Sequence, residues 1–281
     1  MDKELTFTEE LLADIELTGI KETRALRNWN HYMFNNYGVP RVSEILSAVI
    51  GNDGLNKFIA NMGSRYFKFM DTIFNTGTMA HTMIEDYLTT GAIKDTSVYL
   101  QDKLMCNANP TQALNCFHNF QSWMNYMNAM GFIVNVLEIE KSMTCPWYGG
   151  TCDLIAEIIY PDGRRANYIL DFKSSKEVNF RYFLQTMLYM KVYNYNKYNG
   201  TPGYQLDIDG IGIIRLDKTK DIFEYIVLDK YFNKEYLDNL DQATNSMIDW
   251  FYYQLSTNYC FNQYKDSNLI KGEHYGNGNE S

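Results

Sequence analysis

The chain has 281 residues, a formal net charge of −9, and a composition that is 46% hydrophobic and 21% charged. Such a composition is typical of a globular, core-forming protein and excludes an intrinsically disordered one, and the length suits one large domain or two small ones. No apolar run approaches the roughly 18–20 residues that span a bilayer. The start, MDKELTFTEE, lacks the basic and apolar regions of a signal peptide. We therefore expect an intracellular protein with no membrane partner.

The charge and the cysteines narrow the function classes further. A protein that coats duplex DNA is expected to be basic, whereas an enzyme that threads one strand through a narrow channel needs only local positive charge and stacking surfaces. The net negative charge of this chain therefore favours an enzyme with a strand channel over a protein that coats duplex DNA. The cysteines are scattered, odd in number and without a CxxC pair, which argues against a disulfide framework and a zinc site; they are Cys106, Cys116, Cys145, Cys152 and Cys260.

Residues 1–38 are predicted as a helical N-terminal appendage, with a helix over residues 21–37 whose Lys21, Arg24 and Arg27 share one face. That face is either solvated or contacts a DNA backbone. Residues 39–262 are predicted as one domain, and the polar, Gly/Asn-rich residues 263–281 as a flexible tail. Hydrophobic periodicity predicts these elements in the domain: helices over 55–90 (loosened near Gly77), 111–130, 179–196 and 230–255, and strands over 132–144, 151–160, 166–172, 208–216 and 222–228.

The stretch Pro161-Asp162-Gly163 supplies the dihedrals of a reversal between two strands and predicts a β-hairpin. Asp153 lies on its first strand, and Asp171 and Lys173 lie on the second, on one side because side chains alternate along a strand. With Asp153 on that same side, two carboxylates and an ammonium converge. Because adjacent carboxylates repel and hard oxygen ligands suit Mg²⁺ or Mn²⁺, the pattern predicts a divalent-cation site.

Three further motifs surround this hairpin. His81 and Glu85 are four residues apart on a predicted helix, and Gln185 and Tyr189 have the same spacing on a later one, so each pair shares a helix face. Glu140 lies on the strand that precedes the hairpin. Taken alone, each motif is common on solvated surfaces; together they form an ordered series along the chain.

The order of these motifs resembles that of the RecB-type exonuclease branch of the PD-(D/E)xK nuclease superfamily, and in particular the phage and mitochondrial genome maintenance exonucleases. The segment VPRVSEIL at 39–46 is similar to the one that precedes the first helices of those proteins, and the resemblance runs from about residue 39 to 254. It implies an α/β (α+β) fold with a restriction-endonuclease-like core, in which helices flank a mixed central β-sheet. It also implies a phage-encoded enzyme that acts in the host cytoplasm.

The activity that the resemblance implies is a metal-dependent DNA exonuclease that hydrolyses phosphodiester bonds from single-stranded ends in replication, recombination or repair. The cofactor is Mg²⁺ or Mn²⁺, and the implied ligands are His81, Asp153, Asp171 and the backbone carbonyl of Phe172. Lys173 and Gln185 are implied to position the attacking water. Some relatives hold an iron–sulfur cluster with one early and three late cysteines. Here no cysteine precedes Cys106, and only Cys260 follows the nuclease motifs, so we expect no iron–sulfur cluster.

The remaining candidates keep two interpretations each. Glu85 and Glu140 either support the metal site or make ordinary helix contacts and salt bridges. Ser174 and Ser175 either touch the scissile phosphate or form the turn before the next helix. Arg181 is a candidate phosphate clamp, and Tyr189 a candidate substrate contact that packs beneath Gln185.

The ordered series of four motifs argues against a globular interaction protein in which the motifs are coincidental. Two other alternative functions stay open. One is an endonuclease of the same fold, which would cut circular DNA. The other is a nucleic-acid-binding protein that kept the fold and lost catalysis; the presence of Asp153, Asp171 and Lys173 argues against it. The sequence does not determine the polarity of digestion or the oligomeric state.

Overall fold

In the computed structural model, residues 29–50 and 65–268 are described. The described elements, in chain order, are β1 (Tyr32–Phe34), β2 (Tyr37–Val39), α1 (Val42–Ile50), α2 (Arg65–Thr90), α3 (Thr96–Tyr99), α4 (Pro110–Ala129), β3 (Ile133–Thr144), β4 (Gly149–Ile159), β5 (Arg165–Lys173), α5 (Phe180–Tyr198), β6 (Gly210–Leu216), β7 (Phe223–Asp229) and α6 (Lys234–Asn268).

The centre is a five-stranded sheet in the order β3-β4-β5-β6-β7. All neighbours are antiparallel except β5 and β6, which are parallel, so the sheet is mixed. The predicted hairpin is confirmed: β4 and β5 pair with Leu154 opposite Leu170, and Gly163 in the turn has a φ of 84°, which glycine adopts without strain. Asp153 and Asp171 thus lie on neighbouring strands.

Helices cover both faces of this sheet. On one face α1, α5 and α6 pack against the strands, and Leu188 of α5 shares a core with Ile169 of β5. On the other face α2 and α4 pack, and Phe120 of α4 shares a core with Leu170. Adjacent residues of β5 therefore serve opposite cores, as strand alternation requires. This mixed sheet flanked by helices is the predicted fold class and is consistent with a restriction-endonuclease-like core.

Two asparagines define where the site helices start. The side chain of Asn109 accepts a hydrogen bond from the N–H of Gln112 at 3.2 Å and begins α4, with Pro110 in the first turn. The side chain of Asn179 accepts one from the N–H of Arg181 at 2.9 Å and begins α5. Both satisfy donors that a helix leaves without an internal partner. Because α5 begins soon after β5, the connecting residues stay beside the ends of β4 and β5.

The predicted helix over residues 21–37 is wrong where the structure describes it. Residues 32–39 form the β1–β2 hairpin, whose turn contains Asn35 with a φ of 52°, a conformation that asparagine tolerates better than most residues. The hydroxyl groups of Tyr32 and Thr151 lie 3.0 Å apart, and Trp29 stacks on Phe251, so this hairpin packs on the domain. Lys21, Arg24 and Arg27 lie outside the described residues.

Two helices also differ from the prediction, one in its continuity and one in its end. α2 runs without a break through Gly77, because the amphipathic pattern on both sides outweighs the modest helix propensity of one glycine. The last helix extends to Asn268, so residues 263–268 of the predicted tail are helical, and residues 269–281 lie outside the description. Of the helices in the described ranges, none is long and apolar enough to cross a membrane.

Candidate active site

Three elements bring a cluster of possible metal ligands together. His81 of α2, Glu140 of β3 and Asp153 of β4 each offer a ligand atom, and these atoms all lie within 4.8 Å of one another. His81 Nδ1 is 3.5 Å from Asp153 Oδ1. The His81 side chain is 29% exposed, so the cluster is accessible from solvent. An imidazole nitrogen and carboxylate oxygens in this proximity fit a divalent cation.

Glu140 reaches the cluster through an unusual backbone conformation. Its φ of 47° lies in the left-handed region, which costs a non-glycine residue of order 1–3 kcal/mol. In the β3–β4 register, Ile139 is opposite Leu154 and Lys141 is opposite Cys152, so Glu140 lies between these pairs and across from Asp153. Such strained residues are common at functional sites.

Asp153 joins the cluster to the backbone of β5. Its Oδ2 accepts a hydrogen bond from the N–H of Phe172 at 2.6 Å. Burial would raise the pKa of the Asp153 carboxyl, but His81, Lys173 and this N–H together hold it below its ordinary value. Burial would lower the pKa of His81, and Asp153 outweighs burial and raises it. Asp153 is therefore an anion at neutral pH.

Asp171 and Lys173 lie side by side, as strand alternation predicts. Lys173 Nζ is 2.6 Å from Asp171 Oδ2, and only 1% of Asp171 is exposed. Asp171 Oδ2 is therefore held in a buried ion pair with the Lys173 ammonium. Burial and the nearby Asp153 raise the pKa of Asp171 to about 6, against the opposing effect of Lys173.

The carboxyl groups of Glu140, Asp153 and Asp171 repel one another, and this repulsion contributes to the raised pKa values of Glu140 and Asp171. Burial, followed by the charge of Asp153, raises the pKa of Glu140 to about 7. Burial would lower the pKa of Lys173, but Asp171 and Asp153 outweigh burial and raise it, so this lysine stays an ammonium. A divalent cation would relieve the repulsion between Glu140, Asp153 and Asp171.

The predicted pair on α5 is in contact behind the cluster. Gln185 Nε2 donates a hydrogen bond to the hydroxyl of Tyr189 at 2.7 Å, and Tyr189 is 6% exposed. A Cβ on Gly150 would lie 2.4 Å from the Tyr189 ring, so the glycine permits the ring to pack against β4. Arg181 Nη2 donates to Ser47 Oγ of α1 at 2.9 Å, and its role as a phosphate clamp stays a prediction.

A cleft of about 1170 Å³ runs past the cluster, between α2 on one side and the ends of β4 and β5 on the other. Most of the sequence-predicted residues lie on its wall: His81, Glu85, Glu140, Asp153, Phe172, Lys173, Ser174 and Ser175. Asp171, Arg181, Gln185 and Tyr189 are not on the wall of this cleft in the described chain. The predicted site residues thus form two groups: those on the wall of the cleft and those that are not on it.

Other residues of the wall were missed by sequence reasoning. Lys218 and Lys220 lie in the loop between β6 and β7, and Phe69 and Phe74 lie in the first half of α2. A signal for the lysines was present, because Asp-Lys-Thr-Lys between two predicted strands is a turn with two displayed cations. The phenylalanines had no such signal, since phenylalanine in a helix is most often a core residue.

No protein-family model and no curated protein matches this sequence. Similar solved structures include LHK-Exo in complex with dAMP, which is 12% identical over 70% of this chain and 98% of that chain, with a TM-score of 0.34. They also include SSO0001, which is 9% identical over 84% of this chain and 86% of that chain, with a TM-score of 0.26.

Proposed function

We propose that this protein is a metal-dependent nuclease that hydrolyses phosphodiester bonds of DNA. One observation carries the proposal: the cluster of His81, Glu140 and Asp153 lies on the wall of an open cleft that also contains the ammonium of Lys173. Hydrolysis of a phosphodiester needs an activated water and positive charge beside the phosphate. The cluster and the lysine are suited to supply both.

His81, Glu140 and Asp153 would hold the cation, Mg²⁺ or Mn²⁺. We further assign Asp171 and the carbonyl of Phe172 to this set, as the resemblance to RecB-type exonucleases implies. Asp171 is buried, and its charge helps to raise the pKa of Glu140, so it lies close to the cluster. When bound, such a cation lowers the pKa of a coordinated water and offsets charge on the attacked phosphate. Glu85, on the same wall, is assigned a supporting role.

Lys173 is the proposed catalytic group next to this cation. Its raised pKa keeps it protonated, and Asp171 holds its ammonium at 2.6 Å, so the charge has a fixed position. It would orient the attacking water or stabilise charge that develops on the phosphate. Gln185, hydrogen-bonded to Tyr189, is proposed to help place that water from the α5 side.

Ser174 and Ser175 are the proposed contacts to the scissile phosphate, because both lie on the cleft wall directly after β5. Ser175 Oγ donates to the carbonyl of Glu177 at 2.8 Å, which also agrees with the turn interpretation. Ser174 is the stronger candidate of the two. A Cβ on Gly77 would lie 3.5 Å from Ser174 Oγ, so the gap between α2 and this serine is narrow.

The finer parts of the proposal are exonucleolytic action, a preference for single-stranded ends, and a role in replication, recombination or repair. They are supported by the order of the motifs His81–Glu85, Glu140, Asp153, Asp171–Lys173 and Gln185–Tyr189, which resembles that of RecB-type exonucleases. An endonuclease of the same fold and a catalytically inactive binding protein are the alternatives that the experiment must separate.

The test is digestion of linear single- and double-stranded DNA, labelled at either end, with Mg²⁺, Mn²⁺ or EDTA. We expect metal-dependent release of labelled mononucleotides or short oligonucleotides, and its loss in Lys173→Ala. Lys234→Ala is the control, because Lys234 is exposed and pairs with Asp238 on α6. Cleavage of circular DNA would favour the endonuclease, and binding without cleavage under any metal would favour the inactive protein.

A further inference from the structure

The loop of residues 217–222, here called the lysine loop, is held in one conformation by groups other than its lysines. Asp217 Oδ1 accepts hydrogen bonds from the backbone N–H groups of Thr219 and Lys220 at 2.9 and 3.0 Å. Asp217 Oδ2 accepts one from Arg215 Nη1 at 3.0 Å, which offsets its charge. These hydrogen bonds hold the backbone of the loop, and the ammonium groups take no part in them.

Two asparagines of α4 attach this loop to the domain. The side-chain amide nitrogens of Asn115 and Asn119 each donate to the backbone carbonyls of Asp217 and Lys220, at distances between 2.8 and 3.0 Å. Arg215 also donates to the carbonyl of Ser175 at 3.2 Å, which links the loop to the segment after β5. The lysine loop is thus positioned relative to the metal cluster.

The first half of α2 faces this loop across the cleft. Lys218 Nζ lies 3.5 Å from the carbonyl oxygen of Ile73. The next residue, Phe74, is 62% exposed, and Phe69 is 44% exposed; both lie on the cleft wall. At 1.5 Å per residue, Phe74 and His81 are about 10 Å apart along the helix axis. Aromatic rings and a basic loop thus adjoin the candidate metal site at this end.

Charge is segregated along the cleft. One end, here called the acidic end, holds Glu85, Glu140 and Asp153 with His81, and the cation there, Lys173, is paired with Asp171. The other end, the basic end, holds Lys218 and Lys220 of the lysine loop, where Arg215 offsets the charge of Asp217. The chain as a whole has a net charge of −9, so this local concentration of lysine stands against the overall sign. A cleft with cations beside exposed aromatic rings matches a nucleic-acid strand, whose phosphates are anionic and whose unpaired bases stack.

We infer that the basic end binds single-stranded DNA next to the cleaved bond. Lys218 and Lys220 contact phosphates of the strand, and Phe74 stacks on an unpaired base. This inference rests on the proposed function and names the part of the substrate that lies outside the metal cluster. Duplex DNA does not offer a base face to Phe74, so the ring discriminates single strands from duplex.

The experiment measures binding without cleavage, by fluorescence anisotropy of a labelled oligothymidylate in EDTA and, separately, in Ca²⁺. The test variants are the double substitution Lys218→Ala, Lys220→Ala, and the single substitution Phe74→Ala. The matched controls are Lys230→Ala with Lys234→Ala, which removes the same charge away from the cleft, and Tyr236→Ala, which removes a ring that is 67% exposed on α6. A hairpin duplex serves as the second ligand.

We expect the double lysine variant to bind the single strand about tenfold more weakly than the charge-matched control. Its plot of log affinity against log salt should be shallower by about 1.4, since each phosphate contact to a single strand contributes about 0.7 to the slope. Phe74→Ala should lose about tenfold for the single strand and leave duplex binding unchanged.

Several results would overturn the inference: no binding of wild type in either buffer, an unchanged salt slope in the lysine variant, or equal effects of Phe74→Ala on both ligands. Failure of the proposed nuclease is distinguishable, because it would appear as absent hydrolysis in Mg²⁺ or Mn²⁺ while these binding differences persist. Circular dichroism of each variant verifies that it folds.

Discussion

The two ends of the cleft are built in opposite ways. At the acidic end, Glu140 adopts a left-handed φ of 47°, and burial raises the carboxyl pKa of Glu140 to about 7 and of Asp171 to about 6. At the basic end, Asn115 and Asn119 satisfy the loop carbonyls, and the carboxylate of Asp217 is fully engaged. The acidic end is strained in the metal-free protein, and the basic end is relaxed.

The difference follows from what each end is proposed to bind. A cation site needs negative charge that the protein itself does not neutralise. The repulsion between its carboxylates therefore destabilises the folded protein unless a cation is bound. A phosphate site uses lysines on a positioned backbone. Here Lys220 is exposed, and Lys218 is half-buried beside the carbonyl of Ile73. Strain is therefore concentrated at one end, where the chemistry is proposed to occur.

The largest expected effect is the loss of hydrolysis in Asp153→Asn. Removing this charge from the cluster eliminates a stabilisation of several kcal/mol, which corresponds to about a thousandfold decrease in rate. End-labelled DNA and Mg²⁺ provide the measurement. Asp238→Asn, on exposed α6, should retain the wild-type rate, and activity of Asp153→Asn near that of this control would contradict the assignment of the acidic end.

At the basic end, Asn119→Ala should lower the free energy of unfolding by about 2 kcal/mol, because it removes two hydrogen bonds that a buried side chain donates to the loop carbonyls. Asn119 is 2% exposed, whereas Asn115 makes the same two contacts from a half-buried position, so Asn115→Ala should have a smaller effect. Denaturant titration measures both. Equal losses in the two variants would show that burial of Asn119 is not what stabilises the lysine loop.

The raised pKa values at the acidic end predict that the folded protein loses stability as the pH rises from 5 to 8. Glu140 and Asp171 have folded-state pKa values above their unfolded ones, as does His81, so the folded state binds more protons than the unfolded state between about pH 4 and 7. The stability that these groups contribute is fully present at low pH and is lost as pH rises through the folded pKa values. Metal-free protein should be more stable at pH 5 than at pH 8.

Glu140→Gln tests the source of this pH dependence. The substitution removes the carboxyl with the pKa of about 7, so it should raise stability at pH 8 by about 1–3 kcal/mol and flatten the profile. Mg²⁺ or Mn²⁺ should stabilise wild type at pH 8 more than at pH 5, because ligands must be deprotonated to bind. Thermal unfolding at several pH values is the measurement, and an unchanged profile in Glu140→Gln would refute the prediction.

The smallest expected effect is a change in stability at Gly77, which lies on α2 between the basic end and the acidic end of the cleft. Gly77→Ala should stabilise α2 by about 0.5–1 kcal/mol, since its Cβ would meet Ser174 Oγ at 3.5 Å, an ordinary contact. Gly91→Ala should destabilise instead, because Gly91 has a φ of 81°. A rise in melting temperature for the first variant and a fall for the second would agree with this difference, whereas equal signs would contradict it.

The sequence by itself determined the elements that depend on neighbouring residues. The hairpin follows from alternating strands around Pro161–Gly163, and the contacts Asp171–Lys173 and Gln185–Tyr189 follow from the periods of a strand and a helix. These relations need no knowledge of the rest of the chain. The fold class was implied instead by the resemblance in the order of the motifs, and the roles of the site residues stay predictions.

The tertiary structure alone decided three other features. The left-handed φ of Glu140 occurs where β3 brings this residue across from Asp153 of β4, and the β1–β2 hairpin replaces a predicted helix by packing on β4. The lysine loop faces α2 because Asn115 and Asn119, about a hundred residues earlier, hold its carbonyls. Each depends on contacts between distant segments, and local patterns of polarity contain no information about which distant segment will supply the partner.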